Sequence, residues 1–175
     1  YWHMKSVGKD VYKTPFTMVG IGDMSGDVFG NGVLVTQNIK LVAAFDHRHI
    51  FIDPTPKATQ ATLNERKRLF KLASSSWDDY NRDKISAGGG VFSRAEKYIK
   101  LSNEMKTLFG IDEDKIAPDA LIQKILALNV DVLFNAGIGT FVKATSQSHA
   151  EVGDIANDST RVNGSELRAK AVIEG

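Results

Sequence analysis

Phe16-Thr17-Met18-Val19-Gly20-Ile21-Gly22-Asp23-Met24-Ser25-Gly26 is the stretch on which the fold turns. An apolar run of strand length ends here in glycines, the pattern of a buried strand feeding a tight turn. From about Met24 to Gln37, apolar positions Val28, Phe29, Gly32 and Val33 recur with the spacing of one helix face. Gly32 on that face lets the helix approach a strand closely. Leu41-Val42-Ala43-Ala44-Phe45-Asp46 then reads as a second buried strand ending in an acid. Strand, glycine turn, helix and strand make a βαβ unit with a right-handed crossover.

Further along, Asp53-Pro54-Thr55-Pro56 interrupts any strand running through Ile50-Phe51-Ile52. Thr62-Leu63-Asn64-Glu65 has capping-box spacing and predicts a helix to about Leu72. Ser74-Ser75-Ser76 and Gly88-Gly89-Gly90 punctuate a loop-rich stretch, and Ser102 to Phe109 reads as a short helix. Pro118 suits a helix first turn, with Leu121, Ile122, Ile125 and Leu126 as the apolar stripe. Val130 to Asn135 is a third strand, Ser148 to Glu151 caps a helix to about Asn157, and Ala169 to Ile173 is a fourth strand. The expected class is α/β: a Rossmann-like, doubly wound, mainly parallel sheet with helices on both faces. A loop-rich insertion, about 53–117, separates the second and third core strands.

The 175 residues suit one domain able to bury a core. With 42% hydrophobic and 25% charged residues, disorder is excluded. A net charge of +1 gives no electrostatic reason to expect nucleic acid or an anionic membrane as partner, and no apolar run is long enough to span a bilayer. The absence of cysteine removes disulfides, thiolate metal sites and cysteine nucleophiles. The stretch that opens at Tyr1-Trp2-His3-Met4 has no n-region and h-region of a secretory signal, and the last apolar run stops two residues before the end. Both ends read as cuts inside a longer protein, with 1–14 the tail of a preceding segment.

The chemistry lies in Gly20, Gly22, Asp23, Met24, Ser25 and Gly26. Gly20 permits the turn, Gly22 close approach of a pyrophosphate and Gly26 close helix–strand packing, while the helix dipole faces the phosphates. The spacing is GxGxxxG, one residue longer than the commonest dinucleotide pattern. Asp46, at the end of the second strand, suits an adenosine ribose and repels a 2′-phosphate, favouring NAD over NADP. His47 and Arg48 beside it weigh the other way, since an arginine can accommodate that phosphate. Asn135-Ala136-Gly137, ending the third strand, can border the same crevice. Another amino-acid or 2-hydroxy-acid dehydrogenase, a nucleotide-sensing module without catalysis, an adenosylmethionine methyltransferase and an empty Rossmann-like unit remain open on these residues.

Other features carry less. Tyr80 to Lys84 matches a YxxxK pair, but Asn135-Ala136-Gly137 follows it where short-chain dehydrogenases place it before. His47 and His49 form an HxH pair without a third metal ligand. Gly88-Gly89-Gly90 followed by Arg94 could hold an anion or simply turn. Arg66, Lys67, Arg68 and Lys71 read as a solvated helix face, Asp112 to Asp114 as a solvated turn, and Ser74 to Ser76 have no base beside them. The Trp77 segment reads as an exposed face, and the residues leave open whether it packs on other domains.

Taken together, Val19 to Gly32 closely resembles a stretch of the large bacterial NAD-specific glutamate dehydrogenases. The resemblance continues through Leu41 to Phe51, Glu65 to Phe70, Ser75-Ser76-Trp77, Gly88 to Arg94, Asn135 to Ala144, Asn157-Asp158 and Arg161 to Gly164, so it covers nearly the whole chain from about Thr14. Ala136 departs from the glycine expected in many relatives, a small change. The resemblance implies oxidative deamination of L-glutamate to 2-oxoglutarate and ammonia with hydride transfer to NAD. It implies that Gly20, Gly22, Ser25 and Gly26 hold the pyrophosphate, Asp46 the adenosine ribose, and that His47 and Arg48 flank the adenosine end. It implies a cytoplasmic homo-oligomer whose other domains contact this one, and a catalytic lysine and acid in a separate substrate domain. Residues 1–175 are then an NAD-binding domain without catalytic residues of its own, inactive in isolation.

Overall fold

The computed structural model describes residues 1–175. In chain order its elements are α1 (Trp2–Ser6), β1 (Phe16–Ile21), α2 (Asp27–Leu34), β2 (Ile39–Phe45), β3 (His49–Ile52), α3 (Gln60–Lys71), β4 (Gly90–Ser93), β5 (Ile99–Lys100), α4 (Asn103–Phe109), β6 (Lys115–Ile116), α5 (Pro118–Leu126), β7 (Val132–Asn135), β8 (Val142–Lys143), α6 (His149–Val152), β9 (Val162–Asn163) and β10 (Ala171–Glu174). Six strands form the central sheet in the order β10-β7-β1-β2-β3-β4. The four from β10 to β2 are parallel, whereas β3 and β4 each pair antiparallel with their neighbour. The result is a mixed α/β fold with a mainly parallel sheet.

Apolar residues coat both faces of that sheet, as parallel strands require. On one face Met18, Leu41, Phe51 and Phe134 pack with Phe29, Val33, Leu69 and Trp77, which come from α2, α3 and the turn after it. On the other, Ile21, Phe45, Ile50 and Leu133 pack with Met105, Leu121, Ile122 and Ile125 from α4 and α5. No helix is long and apolar enough to cross a membrane.

Helix α2 is shorter than the predicted span of 24–37. Asp23 bends the preceding loop on itself, and the Thr36 hydroxyl accepts the Asn38 N–H beyond the helix end. Two glycines inside eight residues make it a poor helix alone, at a cost of about 1 kcal/mol each relative to alanine. Tertiary packing therefore holds it. A Cβ on Gly32 would lie 2.6 Å from the Phe134 ring, and one on Gly30 would overlap Phe70 of α3. These two positions carry the close packing expected of Gly26, where a Cβ would meet nothing nearer than the Asp23 carbonyl at 3.3 Å.

The stretch 53–117 is more integral than the loop-rich insertion expected. It supplies β4 to the central sheet and α3 to one core. Thr59, not Thr62, caps α3; Thr62 is the reciprocal partner three residues on. The predicted solvated face is also partly wrong. Arg66 is 1% exposed, and its Nε donates to the Val33 carbonyl at the end of α2, 3.2 Å away. Burial lowers its pKa, while its aliphatic stem packs between two helices. Glu65 is buried too, held by Arg68 at 2.6 Å and by the Asn81 N–H at 2.8 Å. Trp77, expected on an exposed face, is fully buried. Tyr80 packs 4.8 Å from Phe51, and burial pushes its phenol up to about 12, so it is no acid–base partner for Lys84 at neutral pH. Helix α6 stops at Val152 because Gly153 turns left-handed at φ +74°, and a 3-10 turn over Ile155–Asn157 fills out the predicted helix.

Candidate functional site

The strand register brings three loops to one crevice. Ile21 lies level with Phe45 on one side and Asn135 on the other, and Asn135 is level with Glu174. The loops leaving the carboxyl ends of β1, β2 and β7 are thus neighbours. The chain crosses from β1 to β2 over one face, and reaches β7, on the other flank of β1, from α5 on the opposite face. That reversal of strand order opens a crevice between the flanking loops, the usual ligand position in open α/β sheets.

The glycine loop is rigidly built. The Gly22 N–H donates to the Phe45 carbonyl at 2.8 Å, and the Ala136 N–H donates to the Ile21 carbonyl at 3.1 Å. Gly22 has φ +146°, and a Cβ there would lie 2.8 Å from the Phe29 ring, so only glycine fits. Asp23 Oδ1 accepts the Gly26 N–H at 2.8 Å and the Ser25 hydroxyl at 2.6 Å. The Gly26 N–H is therefore engaged by a side chain, and the donors left at the helix start are those of its first turn, which have no intrahelical partner. Met24 is fully buried in the α2 core, so it can offer a ligand only its backbone.

Asp46 is 1% exposed. Its Oδ1 accepts the N–H groups of Arg48 and His49, both at 2.7 Å, and so fixes the turn from β2 into β3. Its Oδ2 is buried without a partner. Arg94 Nη1 donates to the Asp46 carbonyl at 2.9 Å, and Nη2 reaches Asp119 at 3.3 Å. Strand β4 places Arg94 at the opposite end from Gly88, so the two do not form a joint anion site. Asp23, Asp46 and His47 share a cleft of about 330 Å³ with Arg94, Phe141 and Asn157. Arg48 lines an adjoining cleft with His49, Ser93 and Asp119, which shares His47 and Arg94 with the first. Asn135 Nδ2 donates to Glu174 Oε1 at 3.1 Å and to the Gly139 carbonyl at 3.3 Å, leaving Oδ1 buried and unpartnered. Gly137 follows at φ +77°.

Arg161 was not among the residues singled out by their chemistry, yet it organises the loop that follows β7. Its guanidinium is fully buried and donates to the Thr140 carbonyl (2.8 Å), the Asp154 carbonyl (2.6 Å) and Asp158 Oδ1 (2.5 Å). Nη1 also lies 2.8 Å from His149 Nδ1. A guanidinium only donates, so Nδ1 accepts and the imidazole proton is placed on Nε2. Lysine cannot reproduce this planar fork. Arg161→Lys is expected to speed amide hydrogen exchange across residues 139–160 about tenfold, the loss of one buried hydrogen bond. Unchanged exchange would show that the pairing of β8 with β9 holds the loop without it.

Residues 1–175 match a family model described as bacterial NAD-glutamate dehydrogenase, catalytic domain. Among curated proteins, the NAD-specific glutamate dehydrogenase of Mycobacterium tuberculosis is 53% identical over 179 residues, that of Pseudomonas aeruginosa 54% over 173, and that of Halomonas elongata 51% over 173. Each match covers 99% of this chain and 11% of the relative, so the chain spans about one ninth of the length of the proteins it resembles. On the full-length family match and identities above half, the chain belongs to the bacterial NAD-glutamate dehydrogenase family, within its catalytic domain.

Proposed function

We propose that residues 1–175 are a Rossmann-like NAD-binding domain of a glutamate dehydrogenase that oxidatively deaminates L-glutamate to 2-oxoglutarate and ammonia. The observation that carries this reading is the pair of buried, unpartnered acceptors at the crevice, Asp46 Oδ2 and Asn135 Oδ1. A buried acceptor without a donor costs about 1–3 kcal/mol, and hydroxyl or amide donors of a dinucleotide would remove that cost. The residues present therefore fit the group. Gly20, Gly22, Asp23, Met24, Ser25 and Gly26 would cradle its pyrophosphate with backbone N–H groups and the start of α2. Asp46 would accept from the adenosine ribose, with His47 beside it and Arg48 in the adjoining cleft. Asn135, Ala136 and Gly137 would border the cofactor from the β7 side. NAD supplies the hydride acceptor for the substrate α-carbon.

This chain's residues bind and orient the cofactor, and the lysine and acid that act on glutamate lie in another domain of the parent. The same reading makes the parent a cytoplasmic homo-oligomer and the isolated segment unable to turn over, since hydride transfer needs both reacting carbons held together. Calorimetric titration of the chain with NAD, NADP and adenosylmethionine tests the cofactor assignment. NAD is expected to bind at least tenfold tighter than NADP, with no heat from adenosylmethionine. Asp46→Ala should erase the preference between the two dinucleotides. Equal binding of NADP by the unaltered chain, or binding of adenosylmethionine, would overturn the reading.

A further inference from the structure

We infer that Trp77 is a positioning residue for the cofactor's phosphate loop, and that the stretch 53–117 acts as the scaffold of that loop; the inference rests on the NAD-binding reading above. The fully buried Trp77 donates its indole Nε1–H to the Gly22 carbonyl at 2.8 Å, a contact across 55 residues of sequence. A trans peptide unit is planar, so its C=O and the next N–H point in opposite directions. Holding the Gly22 carbonyl inward against the indole therefore turns the Asp23 N–H outward, toward the crevice. That N–H makes no hydrogen bond within the chain. Trp77 thus sets the direction of a backbone donor aimed where the pyrophosphate would lie.

The indole is itself held firmly. It lies tilted at 5.1 Å from the Phe51 ring of β3 and meets Phe29 edge-on at 5.7 Å. Ser76 caps the 3-10 turn Trp77–Asp79, and its own N–H donates back to Asp79 Oδ2 at 2.8 Å. The same stretch grips α2 at two further points, through Phe70 against Gly30 and Arg66 on the Val33 carbonyl. Loop, helix middle and helix end are all fixed by one segment.

The test uses the intact parent enzyme. Trp77→Phe keeps an aromatic ring and removes the donor. It is expected to raise the KM for NAD about tenfold, the effect of one buried hydrogen bond, while kcat and the KM for glutamate stay within about twofold. Leu69→Ala is the comparison: it opens the same core and removes no hydrogen bond to the loop, so it should lower the melting temperature and leave the KM for NAD unchanged. An unaltered KM for NAD in Trp77→Phe, or an equal rise in Leu69→Ala, overturns the inference. If Trp77→Phe does not fold, 3-benzothienylalanine at position 77 keeps the bicyclic shape without the N–H and is read by the same criteria. Absence of NAD binding by this domain in the unaltered enzyme would instead count against the cofactor reading itself.

Discussion

Phe29→Ala is expected to destabilise the chain by about 3–5 kcal/mol, the usual loss for a buried phenylalanine. The ring is 1% exposed. It stacks on Phe134 at 5.9 Å and 12°, receives the Trp77 edge, and fills the space in front of Gly20 and Gly22 where side chains would otherwise lie. Its removal leaves a cavity between two glycines that have nothing to fill it with. At roughly 2–4 °C per kcal/mol for a chain of this size, the melting temperature should fall by about 6–20 °C. Urea denaturation followed by far-ultraviolet circular dichroism measures the loss directly. Phe29→Leu should cost much less, because leucine restores most of the volume. A loss below about 1 kcal/mol for Phe29→Ala would mean that the glycine loop does not depend on this ring.

Asp131→Ala should cost about 2–3 kcal/mol at neutral pH. Asp131 is buried at the start of β7, where it accepts from Lys9 Nζ at 2.6 Å, Lys170 Nζ at 2.9 Å and the Thr17 N–H at 3.0 Å. One carboxylate thereby joins the segment before β1, β1 itself and the segment before β10. Burial pushes its pKa up, but the bonds from Lys9, Lys170 and Thr17 outweigh burial and hold it well below the carboxylate range. Because the folded pKa is depressed, the stabilisation is fully present above the unfolded value of about 3.9 and is lost as the pH falls further. The difference between Asp131→Ala and the unaltered chain should therefore be level from pH 8 to 5 and shrink below about pH 4. A constant difference through pH 3 would show that packing, not charge, accounts for the loss. Lys9 and Lys170 are partly exposed, so salt should reduce the effect modestly.

The β1, α2, β2 unit was legible because its signals are local: an apolar run, a glycine turn, an acid at a strand end. Asp46 was singled out for the same reason. What Asp46 does in the fold, closing the hairpin turn with two backbone N–H groups, was missed, and with it the antiparallel β3 and β4. The apolar run Ile50-Phe51-Ile52 was visible, but its pairing direction is decided by the turn before it. Thr59 and Thr62 both suit a cap three residues apart, and local pattern cannot choose between them. Arg66 and Trp77 were misread because burial of a long polar or aromatic side chain is a tertiary outcome. Each finds its carbonyl acceptor on a distant element, which no window along the chain reveals. Arg161 was missed likewise, since its carbonyl acceptors on Thr140 and Asp154 carry no sequence signature.

Strand β1 lies in the middle of the sheet, yet one flank waits for a strand that follows far along the chain, with Thr17 and Asp131 joined across 114 residues. At roughly 5–20 residues per second, a ribosome needs about 6–23 s to make that span. Throughout that time the β1, α2, β2 unit has an open strand edge, and Phe29 lacks the Phe134 ring that stacks on it. Non-local pairings of this kind also fold slowly once the chain is complete. The nascent chain is thus most exposed to self-association between synthesis of Phe45 and of Asn135, and ribosome-stalled chains ending in that window should be the ones that trigger-type holdase chaperones retain.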